Sequence, residues 1–162
     1  MAKKKSSKQE IPAKPHPFSF EHPEESTGFL LWQVSMLWQR SVNDVLGECG
    51  LTHAQFVVLA AAGWLTHQTE SVTQTDIANH ANIDKMMTST ILRGLQENGL
   101  IIRTEHETDT RAKTVMLTSN GQMILKRALV LVEEIDISLV APLRQNSIAF
   151  AEHLRTIIGA FS

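Results

Sequence analysis

A chain of 162 residues is long enough to close one hydrophobic core and short for two, and 43% hydrophobic residues is the content of an ordered domain. No apolar run reaches the length of a membrane span, and Met1-Ala2-Lys3-Lys4-Lys5 is followed by no apolar signal core, so a cytoplasmic protein without membrane contact is expected. A single cysteine, Cys49, rules out an internal disulfide and a Cys-x-x-Cys metal site, and a formal net charge of −2 argues against broad non-specific attraction to nucleic acid.

In chain order, residues 1–23 carry Lys3, Lys4, Lys5, Lys8 and Lys14 with four prolines and almost no aliphatic spacing. They predict a flexible basic arm, either tracking phosphates beside a specific site or serving only as a solubilising tail. Ser26 or Thr27 caps a long helix to about Gly47, with Leu30, Val34, Leu37 or Trp38, Ser41 and Val45 on one stripe. So broad an apolar face with no partner nearby in sequence suggests packing on a second subunit. Cys49 reads first as a small residue where that helix ends, and second as a thiol for cross-linking two chains or sensing oxidants. Thr52-x-x-Gln55 is a capping box for the next helix, whose run Phe56 to Ala62 is apolar nearly all round and predicts burial.

From Val72 the pattern is two short helices and a hairpin. Thr73 caps the first helix, with Asp76 three positions on and Ile77, Ala78 and Ala81 on one face. Asn82 suits the left-handed conformation of a sharp turn, and Asp84 caps the second helix. There Met87 or Thr88, Ile91, Leu92 and Leu95 form the inward stripe. Lys85, Met86, Ser89, Thr90 and Arg93 are left outside, a set suited to phosphates, base edges and thymine methyls in a major groove. Gly99 closes the helix. Leu100 to Arg103 and Val115 to Leu117 predict two strands around a polar tract, Thr104 to Lys113. Thr118 or Ser119 then caps a long helix carrying Met123, Leu125, Leu129, Val132, Ile135 and Leu139, stopped or kinked at Pro142. A last helix runs over Ser147 to Phe161.

This order of elements is that of a winged helix-turn-helix, and its details resemble the multiple-antibiotic-resistance regulator (MarR) family. The resemblance rests on Asp84-Lys85-Met86 opening the second helix, Leu95-x-x-x-Gly99-Leu100 closing it, and Asp109-x-Arg111 followed by Leu117-Thr118 and Gly121. It covers the chain from about Ser26 onward. It implies a mainly α fold with a small β-hairpin wing: a winged helix-turn-helix DNA-binding lobe over 51–118 and a helical dimerisation module from 24–50 and 119–162, one compact domain overall beyond the arm. It further implies a homodimer on double-stranded DNA. Lys85, Met86, Ser89, Thr90 and Arg93 would lie in the major groove, Arg111 in a minor groove with Asp109 orienting its guanidinium, and Lys113 on the backbone beside it. The family also implies a small-molecule effector in a cleft between the two parts, for which Trp32, Trp38, Trp64, His53 and Phe56 are candidates. The effector itself is not specified.

Over Val72 to Thr118, five cations face six acids, a local balance of one negative charge. DNA binding then has to rest on position, with Lys85, Arg93, Arg111 and Lys113 on a common face. A glycine-rich phosphate loop, Gly-x-Ser-x-Gly and His-Glu-x-x-His are all absent, and the seven histidines show no ligand spacing. No enzyme activity, cofactor or metal is expected. The expectation is a ligand-responsive transcriptional repressor on a pseudo-palindromic operator; the alternative is a winged-helix protein-interaction module that never binds DNA.

Overall fold

The computed structural model describes residues 17–69, 71–105 and 113–161. In order they form α1 (Thr27–Gly47), α2 (His53–Gln68), α3 (Gln74–Ala81), α4 (Lys85–Glu97), β1 (Ile101–Glu105), β2 (Lys113–Leu117), α5 (Ser119–Val140) and α6 (Ser147–Ala160). Short 3-10 turns cover Pro23–Glu25 and Ala141–Asn146. The chain divides into two compact units, Met1–Val34 and Ser35–Ser162.

In the first unit the lysine-rich part of the predicted arm lies outside the described residues. The stretch that follows has local order: the Phe18 and Phe20 rings stack with centroids 5.6 Å apart, and Ser26 Oγ accepts from the Phe29 amide at 3.3 Å where α1 begins. Phe29 and Trp32 stack at 6.0 Å. No described residue of this unit is buried.

In the second unit the core is built around α2. Its capping box forms as predicted, with the Thr52 amide donating to Gln55 Oε1 at 2.9 Å and the Gln55 amide to Thr52 Oγ1 at 3.2 Å. Phe56, Val58, Leu59, Ala61 and Ala62 are buried because α3, α4, β2 and α5 all pack on this helix. Val42, Leu46, Val72, Ile77, Leu92, Leu95, Ile101 and Val115 complete the centre. Each full burial of such a side chain is worth about 1.5–3 kcal/mol. In α1 the buried positions are Val42 and Leu46, one residue on from the predicted Ser41 and Val45, while Leu37 is exposed. Of the pair Leu37 or Trp38, it is Trp38 that turns inward. Its indole Nε1 donates to Asp136 Oδ1 at 2.7 Å, and its ring meets His53 edge-on at 5.1 Å.

The helix-turn-helix follows local chemistry. Thr73 and Asp76 form a reciprocal cap on α3, Asn82 takes φ 50°, ψ 46°, and the Ile83 amide donates to the Ala78 carbonyl at 3.0 Å. At the far end of α4, Gly99 sits at φ 68° and the Leu100 amide reaches back to the Leu95 carbonyl at 2.9 Å, the Schellman closure that turns the chain into β1. The strands pair antiparallel, with Ile101 opposite Leu117 and Glu105 opposite Lys113. They run further into the polar tract than the sequence predicts, because the β-branched Thr104 and Thr114 make a cross-strand pair with hydroxyl oxygens 2.7 Å apart. The Val115 amide ties the hairpin to the Val72 carbonyl at 2.8 Å, just ahead of α3.

Thr118, rather than Ser119, caps α5: its Oγ1 accepts from the Gly121 amide at 2.9 Å and donates to the Gly99 carbonyl at 2.7 Å. Of the predicted stripe, Leu125 and Val132 are buried together with Ala128, whereas Met123 and Leu129 are exposed, so α5 presents apolar residues on two sides. Proline 142 falls where α5 gives way to the 3-10 turn, and Arg144 carries the reversal at φ 51°, ψ −124°. No residue of α6 is buried. No helix among the described residues is long and apolar enough to cross a membrane.

Gly121 is where α5 crosses the start of the wing, and a Cβ there would collide with the backbone carbonyl of Leu100. Backbone cannot step aside as a side chain can, so Gly121→Ala should destabilise the fold by about 2 kcal/mol or more in urea denaturation. Gly94→Ala, inside α4 with its nearest neighbour Gln55 Nε2 at an ordinary 3.7 Å, should stabilise it by about 0.5–1 kcal/mol. Equal effects of the two changes would contradict this packing.

Candidate nucleic-acid interface

Helix α4 is amphipathic by construction. Thr88, Leu92 and Leu95 are buried against the α2 and β1 side and Ile91 is half-buried, which orients the opposite surface outward. Thr88 tolerates full burial because its hydroxyl donates to the Asp84 carbonyl at 2.9 Å. The start of the helix is held twice. Asp84 Oδ1 accepts from the amides of Met86 and Met87 at 2.8 and 3.1 Å, and Gln74 Nε2 of α3 donates to the Lys85 carbonyl at 3.3 Å.

The predicted residues on this helix share one surface. Lys85, Met86, Thr90 and Arg93 are exposed and Ser89 is half-buried. Lys113, at the first position of β2, is exposed too. Asp109 and Arg111 lie outside the described residues. Between Met87 and Thr88 the structure selects Thr88 for the interior, leaving Met87 53% exposed at the edge of the outward surface, a position the sequence left open. The Gln74 tie is a second feature with no sequence signal, since a contact eleven residues apart follows no helical or strand period.

The acid count that made DNA binding look awkward includes two carboxylates with structural work. Asp76 Oδ2 accepts from the Thr73 amide and hydroxyl at 2.9 and 2.6 Å, and Asp84 closes α4. Each sits at a helix N-terminus, where the amides' partial positive charge offsets its own. Among the described residues the one ion pair is Arg127 with Glu48 at 3.7 Å. Lys85 and Arg93 therefore hold no carboxylate among the described residues.

A cleft of about 1740 Å³ opens elsewhere in the same unit. Phe56, Ala60, Trp64 and His67 of α2 line it, with Ala81 at the end of α3, Thr104, Thr114 and Met116 of the hairpin, and Gln122, Lys126 and Leu129 of α5. Of the predicted lining residues, Phe56 and Trp64 are present. Trp38 and His53 instead pack on each other, and Trp32 stacks on Phe29 in the first unit.

The model of the MarR family matches residues 51–113. The chain is 39% identical over 117 residues to YdcH of Bacillus subtilis (strain 168), named as an uncharacterized HTH-type transcriptional regulator, covering 72% of this chain and 80% of that one. It is 28% identical over 116 residues to the HTH-type transcriptional repressor Rv2887 of Mycobacterium tuberculosis, covering 72% and 81%. Among solved structures, the transcriptional repressor CouR bound to a 23-mer DNA duplex matches with a TM-score of 0.74 and 30% identity over 83% of this chain and 94% of that one. With the capped helix pair, the left-handed turn at Asn82 and the wing already in place, these likenesses identify the chain as a member of the MarR family of winged helix-turn-helix transcriptional regulators.

Proposed function

We propose that this regulator is a sequence-specific DNA-binding repressor acting as a homodimer on a pseudo-palindromic operator. The observation that carries the reading is the outward surface of α4, where a helix anchored along its other side holds Lys85, Met86, Thr90 and Arg93 in solvent. The similar CouR structure was solved on a DNA duplex, and Rv2887 is named a repressor, which supports the same reading. In the proposed complex Arg93 reaches guanine edges, Lys85 a phosphate, and Ser89 and Thr90 the groove wall. Lys113 contacts the backbone beside the wing. Arg111 in the minor groove, oriented by Asp109, enters this proposal through the family resemblance alone.

The dimer is supported by α6, which has no buried residue although Ile148 and Ile157 lie along it and Phe161 just beyond its end, with Ile137 similarly exposed on α5. An apolar surface of this kind is stable in water when a second copy covers it. Two-fold symmetry then spaces the reading helices by one DNA turn, about 10 base pairs. The cleft supports a ligand-responsive repressor: it is bounded by α5 on one side and by the hairpin and α3 on the other. A small apolar molecule wedged there would alter how the reading helix is carried and shift the balance between bound and free forms.

Selection from a random duplex pool should return an inverted repeat, bound with an affinity that falls steeply as salt rises. On that duplex Arg93→Ala should weaken binding by about tenfold to a hundredfold in an anisotropy titration, with the helical circular dichroism unchanged. Asp84→Asn keeps a capping oxygen and removes a negative charge beside the phosphates, so it should tighten binding by about threefold at low salt. No duplex bound at low salt, or an Arg93→Ala affinity equal to that of the natural protein, would sink the proposal.

A further inference from the structure

Resting on the DNA-reading role of α4, we infer that the first turn of this helix recognises thymine through its C5-methyl groups, with Met86 and Met87 as the specificity-determining side chains. Met86 is 81% exposed and Met87 53%, so two large apolar side chains stand side by side in water on a surface otherwise made of Lys85, Ser89, Thr90 and Arg93. Neither is needed for the core, whose inward position in this turn is taken by Thr88.

The backbone amides and the threonine hydroxyl protons of this turn are already committed. The Met86 and Met87 amides, which at a free helix N-terminus would hold a phosphate, both donate to Asp84 Oδ1. The Thr88 hydroxyl is buried and donates to the Asp84 carbonyl, and the Thr90 hydroxyl donates to the Met86 carbonyl at 3.1 Å. The chemistry this turn offers a partner is therefore that of two thioethers, flanked by the Lys85 ammonium and, one to two turns on, by Arg93. On the base edges of a major groove the apolar group is the thymine methyl. A thioether is polarisable and conformationally adaptable enough to cover it without a fixed geometry. Burying one methyl against such a side chain is worth about fourfold in affinity.

The test uses the full-length protein and a duplex recovered from a random pool, with each thymine replaced singly by deoxyuracil, which keeps every hydrogen-bonding group and removes only the methyl. At one or two thymines in each half-site the replacement should weaken binding about fourfold, and 5-bromouracil, with bromine in the place of the methyl, should restore it. Met86→Ser or Met87→Ser, at exposed positions that leave the core intact, should bind the thymine and uracil duplexes alike at the matching position. Uracil tolerated at every position would overturn the inference while leaving DNA binding in place. Failure to recover any duplex would overturn it together with the function proposed above.

Discussion

The constraint on which the rest depends is the burial of α2 on nearly every side. A helix with Phe56, Val58, Leu59, Ala61 and Ala62 all removed from water has to be covered by several neighbours at once, and α3, α4, β2 and α5 are those neighbours. Because Leu92 and Leu95 of α4 join the same core, that helix cannot roll about its axis without exposing them. Its outward surface is thus fixed by what lies beneath it. The cap at Asp84 and the Gln74 tie fix its starting point, so the presentation of Met86, Thr90 and Arg93 follows from how the helix is packed and capped.

Charge follows the same logic. A lobe with a slight negative balance looks unsuited to a polyanion until the carboxylates are sorted by partner. Asp76 and Asp84 are bound to backbone amides at helix starts, and their contribution is to local structure. Of the exposed cations, Lys85 and Arg93 stand two turns apart on α4 with no ion-pair partner among the described residues, and Lys113 begins β2. Such an arrangement favours specific over non-specific attraction, since few charges act and each is positioned.

What could be read from the sequence was the local chemistry. Thr52 with Gln55, Thr73 with Asp76, Asn82, Asp84 and Gly99 each act within five residues of themselves, and each took the role its type suggests. Ambiguity appeared where two neighbours had similar claims. Met87 and Thr88 both fit the inward spacing of α4, and the choice went to the smaller side chain, whose hydroxyl finds the Asp84 carbonyl, while the longer one turned out. The strand ends at Thr104 and Thr114 were hidden because an all-polar tract shows no alternation, although their β-branching was the available clue. The cleft was reached only through family likeness, which named Phe56 and Trp64 of its lining; its other walls, from the hairpin and α5, are brought together by tertiary packing. The role of Arg111 was reached through family likeness, not through spacing.

The most direct test of the account is a cleavage map of the bound duplex. With Cys49 replaced by Ala, a single cysteine introduced as Thr90→Cys and linked to an iron chelate should cut the DNA at two positions about 10 base pairs apart, in the major groove of each half-site. The same reagent on Arg155→Cys of α6 should give no localised cutting. Equal patterns from the two positions, or cutting from α6 alone, would contradict the assignment of α4 as the element that meets DNA.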